Sequence, residues 1–246
     1  MFYLSKDDLK RKSKRPRDWQ AYYRSQTKLT TAPLLQSFYD TLPASLNSHI
    51  STVPLVALDL ETTGLNRNRD SIVSIGLVEF STQRIRLNST QYWIVRPPSQ
   101  LHETSVLVHS LTHSQVATAP NIETILKQLV PLLAGKVVVA HHASIERQFL
   151  LKAAQRAFNS DWYFPMIDTM KLERKLNEEK QSWWQKWFTH KYPTLQLRDT
   201  RIRYGLPGYR QHHALNDAIA CAELFQAQIA NLGEDTILVE LLDNAL

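Results

Sequence analysis

The stretch Val56-Ala-Leu-Asp-Leu-Glu-Thr-Thr-Gly-Leu65 constrains this chain more than any other. It begins as an apolar strand through Leu55, Val56 and Leu58 and ends in a Thr-Thr-Gly turn. Strand side chains alternate between faces, so Asp59 and Glu61 project on the same side. Two carboxylates side by side at the end of an apolar strand repel each other, and burial sharpens the repulsion. A hard divalent cation such as Mg²⁺ or Mn²⁺ is the simplest remedy, because it prefers carboxylate oxygen. Strand-end acids are usually just solvated. Here a tight turn follows at once, and two further acids, Glu146 and Asp217, stand downstream in suitable settings. The stretch reads as the first half of a metal site.

At 246 residues the chain can bury one good core with some extension left over. Cys221 is the single cysteine, so no intrachain disulfide forms and a reducing, cytoplasmic setting is expected. No apolar run is long enough to span a bilayer, and Met1 to Leu4 is followed directly by charge rather than by a signal peptide. No membrane partner is expected. The net charge of +6 is concentrated at one end. Residues 1–28 hold nine Lys or Arg against Asp7, Asp8 and Asp18, and the remainder balances. The basic character therefore belongs to an arm.

That arm and the residues after it, 1–48, read as an N-terminal extension to a body spanning 49–246. Residues 1–17 are either a partner for a polyanion such as nucleic acid or a solvated tail. From Asp18 to Tyr39, Trp19, Tyr22, Tyr23, Leu34, Leu35, Phe38 and Tyr39 predict two short helices docked on the body; stacking on bases is the other use of such aromatics. Leu42 to Thr52 reads as a linker. Strands are predicted at Ser71–Phe80 and Gln83–Val95, forming an antiparallel meander with the first. An amphipathic helix over Asn121–Leu133 and a buried strand Val137–Ala140 follow, which points to a mixed sheet with helices packed on it.

His141-His-Ala-Ser-Ile-Glu146 then opens a helix running to about Phe158. Glu146 shares a face with Leu150, Ala153 and Ala157, so it leans inward from the first turn; an acid there either complements the helix dipole or serves as a metal ligand. Phe164–Asp168 reads as the last strand, with Asp168-Thr169 opening the next helix. Residues 177–194 carry Trp183, Trp184, Trp187 and Phe188 and read as a hydrophobic lid or contact surface, with base stacking as the other use. Arg198, Arg201, Arg203 and Arg210 are candidates to hold phosphates, or are inert surface charge. His212-His-Ala-Leu-Asn-Asp217-Ala opens a helix to about Leu232, with Asp217 on the same stripe as Ala218, Cys221 and Phe225. His212 stands where it can swing over the same cleft.

Taken together, these stretches resemble the DEDDh family of 3′–5′ exonucleases, the DnaQ-like class that includes proofreading epsilon-type exonuclease domains. Asp59-x-Glu61-Thr-Thr-Gly, His141-His142-x-x-Ile145-Glu146 and His212-x-Ala-x-x-Asp217-Ala match its motifs in order, across roughly Val53 to Leu232. The chain departs from the family in Glu146 for the usual Asp, His142 for the usual Asn and Ile145 for a common Phe. The resemblance implies a ribonuclease H-like fold: a mixed five-stranded sheet flanked by helices. It also implies two divalent cations, Mg²⁺ or Mn²⁺, held by Asp59, Glu61, Glu146 and Asp217, with His212 as general base.

By the same resemblance, the backbone around Thr62, Thr63 and Gly64 holds a terminal 3′-hydroxyl and Leu65 wedges between the last two bases. His142 lies in the second motif, and His109 resembles a family stretch beside the terminal nucleotide. The implied activity is hydrolysis of single-stranded DNA or RNA 3′ ends to nucleoside 5′-monophosphates. A short-oligonucleotide hydrolase and a nuclease-dead binding module are the competing readings. Little sequence follows Leu232, so the polymerase-docking tail of epsilon-type subunits is not expected.

Overall fold

The computed structural model describes residues 18–98, 112–180, 193–233 and 235–242. The basic arm 1–17, His109 and most of the Trp-rich stretch lie outside them. Five strands form one sheet: β1 (Leu55–Thr62), β2 (Ile72–Phe80), β3 (Gln91–Ile94), β4 (Val137–Ala140) and β5 (Met166–Asp168). Their order across the sheet is β3-β2-β1-β4-β5. The first three strands pair antiparallel, while β4 runs parallel to both β1 and β5. The expected mixed five-stranded sheet is present, and β1 lies at its centre.

The helices are α1 (Trp19–Leu29), α2 (Pro33–Asp40), α3 (His113–Thr118), α4 (Ile122–Leu133), α5 (Ser144–Phe158), α6 (Thr169–Lys180), α7 (Leu197–Arg203), α8 (Ala214–Leu232) and α9 (Leu238–Leu241). Both faces of β1 and β2 are covered: Ala57 and Val78 are buried on one side, Leu58 and Leu77 on the other. That accounts for the near-continuous apolar reading of these strands. Helix α8 lies on the face that carries Asp59. It comes so close that a Cβ added at Gly76, the cross-strand partner of Asp59, would sit 2.2–2.3 Å from the Ala214 and Leu215 backbone. A glycine in mid-strand thus sets how near the start of α8 comes to β1.

The two N-terminal helices dock as expected. Asp18 caps α1 by accepting from the Ala21 N–H at 3.0 Å. Tyr23, Leu35, Phe38 and Tyr39 are buried in the same core as the sheet. Phe38 meets the Trp162 ring edge-on at 5.5 Å, and the Tyr39 hydroxyl accepts from the Tyr163 N–H at 3.2 Å. These aromatics are packing, which removes them from any base-stacking role.

Two predicted elements differ. The third strand covers only Gln91–Ile94; upstream of it Ile85 forms a lone bridge to Phe80, and Leu87–Ser89 is a 3₁₀ turn. Arg84, Arg86, Asn88 and Ser89 leave that part too polar to cover the sheet. The stretch 42–52 is no free linker. Ile50 is buried, its N–H donates to the Thr236 carbonyl at 3.0 Å, and the Leu238 N–H donates to Ser48 at 3.0 Å. The segment after α8 is thereby fastened back onto the start of the body.

The Gly76 contact yields a direct expectation. Gly76→Ala must push α8 off β2, and overpacking of this kind typically costs about 1–3 kcal/mol. Urea denaturation should show at least that loss, and the variant should bind Mn²⁺ more weakly because the start of α8 carries Asp217. Wild-type stability would mean that α8 does not rest on this glycine.

Candidate active site

The end of β1 and the start of α8 bring three carboxylates together. Asp59, Glu61 and Asp217 each offer an oxygen, and these oxygens all lie within 4.8 Å of one another. The β1–β2 register shifts between Glu61 and Thr62, so the strand is re-aimed where its second acid must turn toward the first. Asp217 accepts at Oδ2 from the backbone N–H of His212, 3.0 Å away. His212 takes φ +61°, a left-handed conformation that folds its N–H back onto the carboxylate, while its side chain is exposed.

Glu146 enters from the first turn of α5 and is 3% exposed. It is not one of the three mutually close carboxylates, but it borders them: its charge acts on Asp59, and that of Glu61 acts on it. Its position rests on Asp168, a buried residue whose part in the site the sequence reading missed. Asp168 Oδ1 accepts from the N–H groups of His142 and Met170, both at 3.0 Å. One carboxylate thus caps α6 and pins the αL residue His142 (φ +72°), which turns the chain from β4 into α5. The Asp-Thr pair opening a helix was the available signal.

His141 supports the same corner. Its Nε2 lies 2.8 Å from the Leu195 carbonyl and its Nδ1 2.9 Å from Thr169 Oγ1. A carbonyl only accepts, so Nε2 carries the proton and Nδ1 accepts from the threonine hydroxyl. Burial pushes the imidazole below its ordinary pKa, which fits this neutral tautomer.

The turn after β1 is tied by its own polar groups. Thr62 Oγ1 donates to the Gly64 carbonyl at 2.8 Å, and Asp70 accepts from the Asn66 N–H at 2.7 Å. The Ser71 N–H donates to Thr63 Oγ1 at 3.0 Å. Leu65 is left 55% exposed at the turn's tip, an unusual place for a large apolar side chain. Two of the arginine candidates for phosphate binding are corrected. Arg201 is buried and paired with Glu223 at 2.6 Å, and Arg203 pairs with buried Glu173 at 3.1 Å. Both are committed to packing α7 against its neighbours.

Electrostatics make this corner expensive without a cation. Burial, then Glu146, Asp217 and Glu61, push the Asp59 carboxyl well above its usual range. Burial and then Asp168 and Glu61 do the same to Glu146. Asp217 is pushed up to about 6 by burial and Glu61, against the relief it gets from Tyr209 and His212. Glu146 Oε2, Asp168 Oδ2 and Asp217 Oδ1 are buried with no hydrogen-bond partner. Unpaired buried carboxylate oxygens facing like charge are a donor set for hard divalent cations, and these residues fit such ions.

Residues 56–225 match the family model RNase T, described as exonuclease. The chain belongs to this family of DnaQ-like exonucleases. Among curated relatives, the PolC-type DNA polymerase III of Thermotoga petrophila is 27% identical over 181 residues, 74% of this chain. An epsilon-like DNA polymerase III subunit protein of Rhodobacter capsulatus is 28% identical over 193 residues, 76% of this chain. The alignments cover only 12% and 26% of those two proteins. Among solved structures, the nuclease domain of 3′hExo, a DEDDh member bound to rAMP, superposes with TM-score 0.58 at 18% identity, covering 74% of this chain and 94% of that one. Exonuclease X in complex with 5′ overhanging duplex DNA gives TM-score 0.53 at 26% identity, covering 78% and 98%. The fold is therefore ribonuclease H-like, and the carboxylate cluster of this exonuclease-family chain is its metal-binding corner. Among the described residues no helix is long and apolar enough to cross a membrane.

The raised carboxyls fix a pH dependence. An acid whose pKa rises on folding stabilises the fold below its unfolded pKa, and that contribution is lost as pH climbs through the folded value. For Asp217 the window runs from about 4 to about 6, and for Asp59 and Glu146 it extends higher. Burial lowers His141 and His142, which act in the opposite sense, so a difference is the clean readout. Metal-free wild type should lose stability relative to Asp59→Asn as pH rises from 5 to 8. Mn²⁺ should reverse that loss in wild type only. A difference independent of pH would show that the carboxylates do not strain the fold.

Proposed function

We propose that this chain is a metal-dependent 3′–5′ exonuclease releasing nucleoside 5′-monophosphates from single-stranded DNA or RNA. The observation that carries the reading is the Asp59–Glu61–Asp217 cluster at the end of the central strand, bordered by buried Glu146, in a chain of the exonuclease family. Asp59, Glu61, Asp217 and Glu146 hold two divalent cations, Mg²⁺ or Mn²⁺. Bound there, such a pair activates the attacking water and neutralises charge on the departing oxygen. His212 accepts the proton of that water; its exposed side chain and left-handed backbone leave it free to swing over the cluster.

Substrate positioning falls to the turn after β1. The backbone of Thr62, Thr63 and Gly64 is held rigid by hydrogen bonds to Asp70 and Ser71, and it receives the terminal 3′-hydroxyl. Leu65 is exposed at its tip and separates the last two bases. His142 is assigned to substrate binding from its place in the second motif, and His109, which lies outside the described residues, is assigned with it on the family resemblance alone.

Glu146 is one methylene longer than the family's usual Asp. We infer that the longer side chain lets Glu146 reach the metals from α5, so Glu146→Asp should lower turnover rather than raise it.

The test uses DNA and RNA strands labelled at the 5′ end, incubated with Mg²⁺, Mn²⁺ or EDTA. A ladder shortening from the 3′ end with mononucleotide release is expected, and EDTA should abolish it. Asp59→Ala and His212→Ala should each cost at least about 100-fold in turnover, and only the first should also weaken Mn²⁺ binding strongly. Internal cuts, degradation from the 5′ end or full activity of His212→Ala would overturn the reading. A gain for Glu146→Asp would mean that the longer acid is a handicap.

A further inference from the structure

The body of the chain is neutral overall, yet it gathers cations beside the turn after β1. Lys152 and Arg156 from α5, Arg96 from just after β3, and Asp70 and Ser71 from the end of that turn line one cleft. Its floor includes Ile72, Val95 and Phe149, all buried. The cations come from segments far apart in sequence, so no basic run announces them. Asp70 is the one acid among the described residues that line the cleft, and the turn already uses it. Its Oδ2 accepts from the Asn66 N–H at 2.7 Å, and a Cβ added at Gly64 would sit 2.6 Å from that oxygen. Three cations against one acid, over an apolar floor, make a cleft whose low-dielectric wall focuses positive potential.

Two connections join the cleft to the metal corner. Phe149, Lys152, Ala153 and Arg156 form one stripe of α5, and Glu146, in the first turn of that helix, stands three residues before Phe149. At about 1.5 Å per residue, Lys152 and Arg156 lie about 9 and about 15 Å along the axis from Glu146. The second connection is the turn itself. Lys152 Nζ donates to the Arg67 carbonyl, which fastens α5 to the turn. The Ser71 N–H donates to Thr63 Oγ1 at 3.0 Å, so the edge of the cleft is bonded to a residue that receives the terminal 3′-hydroxyl in the proposed reaction. A stacked strand advances about 3.4 Å per nucleotide. A strand leaving the metal corner along α5 therefore meets these cations about three to four nucleotides from its end.

We propose that this cleft is a second binding site for the substrate strand, in which Arg96, Lys152 and Arg156 hold phosphates of single-stranded nucleic acid upstream of the scissile end. This rests on the exonuclease reading, because the strand's register is counted from the metal corner. Cationic side chains on phosphates carry no sequence information, so the cleft grips a strand without selecting its bases. It makes affinity depend on length. A strand of two nucleotides ends before the cations, and one of ten reaches past them.

The experiment measures strand binding by the full chain in EDTA, where metal-dependent cleavage does not interfere. Oligo-dT strands of two and of ten nucleotides, carrying fluorescein at the 5′ end, are titrated by fluorescence anisotropy. Arg96→Gln with Arg156→Gln removes two exposed charges, so the Tm should stay unchanged. The Kd for the longer strand should rise about 10-fold, and the slope of log Kd against log salt should fall by about 1.4, at about 0.7 per lost phosphate contact. The advantage of ten nucleotides over two should shrink by the same factor as the Kd rises. Arg24→Gln with Arg84→Gln removes as much exposed charge from α1 and the β2–β3 connection, and should leave the Kd near wild type. A wild-type Kd and salt slope in the Arg96→Gln, Arg156→Gln variant overturn the proposal. Equal weakening by the control pair does so too, because affinity would then follow general charge, and so does a wild type that binds no strand. If binding behaves as expected but wild type with Mn²⁺ releases no mononucleotide, the exonuclease reading fails and the cleft remains a strand-binding site. If wild type shortens strands and the cleft variant binds them normally, the cleft loses its role and the reading survives.

Discussion

Repulsion among buried carboxylates is the constraint on which this structure depends. Asp59 and Glu61 leave the central strand on one face, Asp217 meets them from α8, and Glu146 closes in from α5. Arg201 and Arg203 of the neighbouring α7 are committed to Glu223 and Glu173. The fold supplies the His212 N–H to Asp217 and buries Asp59 and Glu146 among like charges. Such an arrangement costs stability in the free protein and suits an ion carrying two charges.

Holding like charges together requires a stiff frame, and each piece of it has a local cause. Gly76 removes the one side chain that would keep α8 from β1. Asp168 spends a buried carboxylate oxygen on the N–H groups of His142 and Met170, so the β4–α5 corner and the start of α6 share one anchor. His142 and His212 both adopt left-handed backbone, a conformation uncommon for non-glycine residues, and both flank an acid of the site. Gln228 and Tyr204 add a second polar knot around buried Glu173, which Arg203 completes. The site is thus carried on the ends of β1, β4, α5 and α8 rather than on free loops, as precise ligand geometry demands.

Much of this was legible in the sequence, for identifiable reasons. Alternation put Asp59 and Glu61 on one side, and the helical stripe that includes Asp217, Ala218 and Cys221 placed an acid on a core face. The buried runs Val137–Ala140 and Ile72–Phe80 read as strands because apolar residues fill both faces. What escaped was long-range. Nothing local marks Ile50 as a partner of Thr236, or Arg201 as a post for Tyr209, since those contacts depend on how distant segments meet. The arginines of α7 looked alike in sequence, and only their ion pairs with Glu223 and Glu173 separate Arg201 and Arg203 from free surface charge. The overlong third strand had another origin: Ile85 bridges to Phe80, but the polar residues after it leave the sheet.

The central claim is that burial and neighbouring carboxylates raise Asp59, Glu146 and Asp217 in pKa, and that a divalent cation relieves them. Cation binding must then expel protons that the crowded carboxyls hold in the free protein. Calorimetric titration of the chain with Mn²⁺ near pH 6.5, repeated in buffers of different ionisation enthalpy, counts those protons. The account predicts saturable binding with net proton release that shrinks as pH rises and falls in Asp59→Asn. Binding with no proton release at any pH between 5.5 and 7.5, or no binding at all, would contradict it.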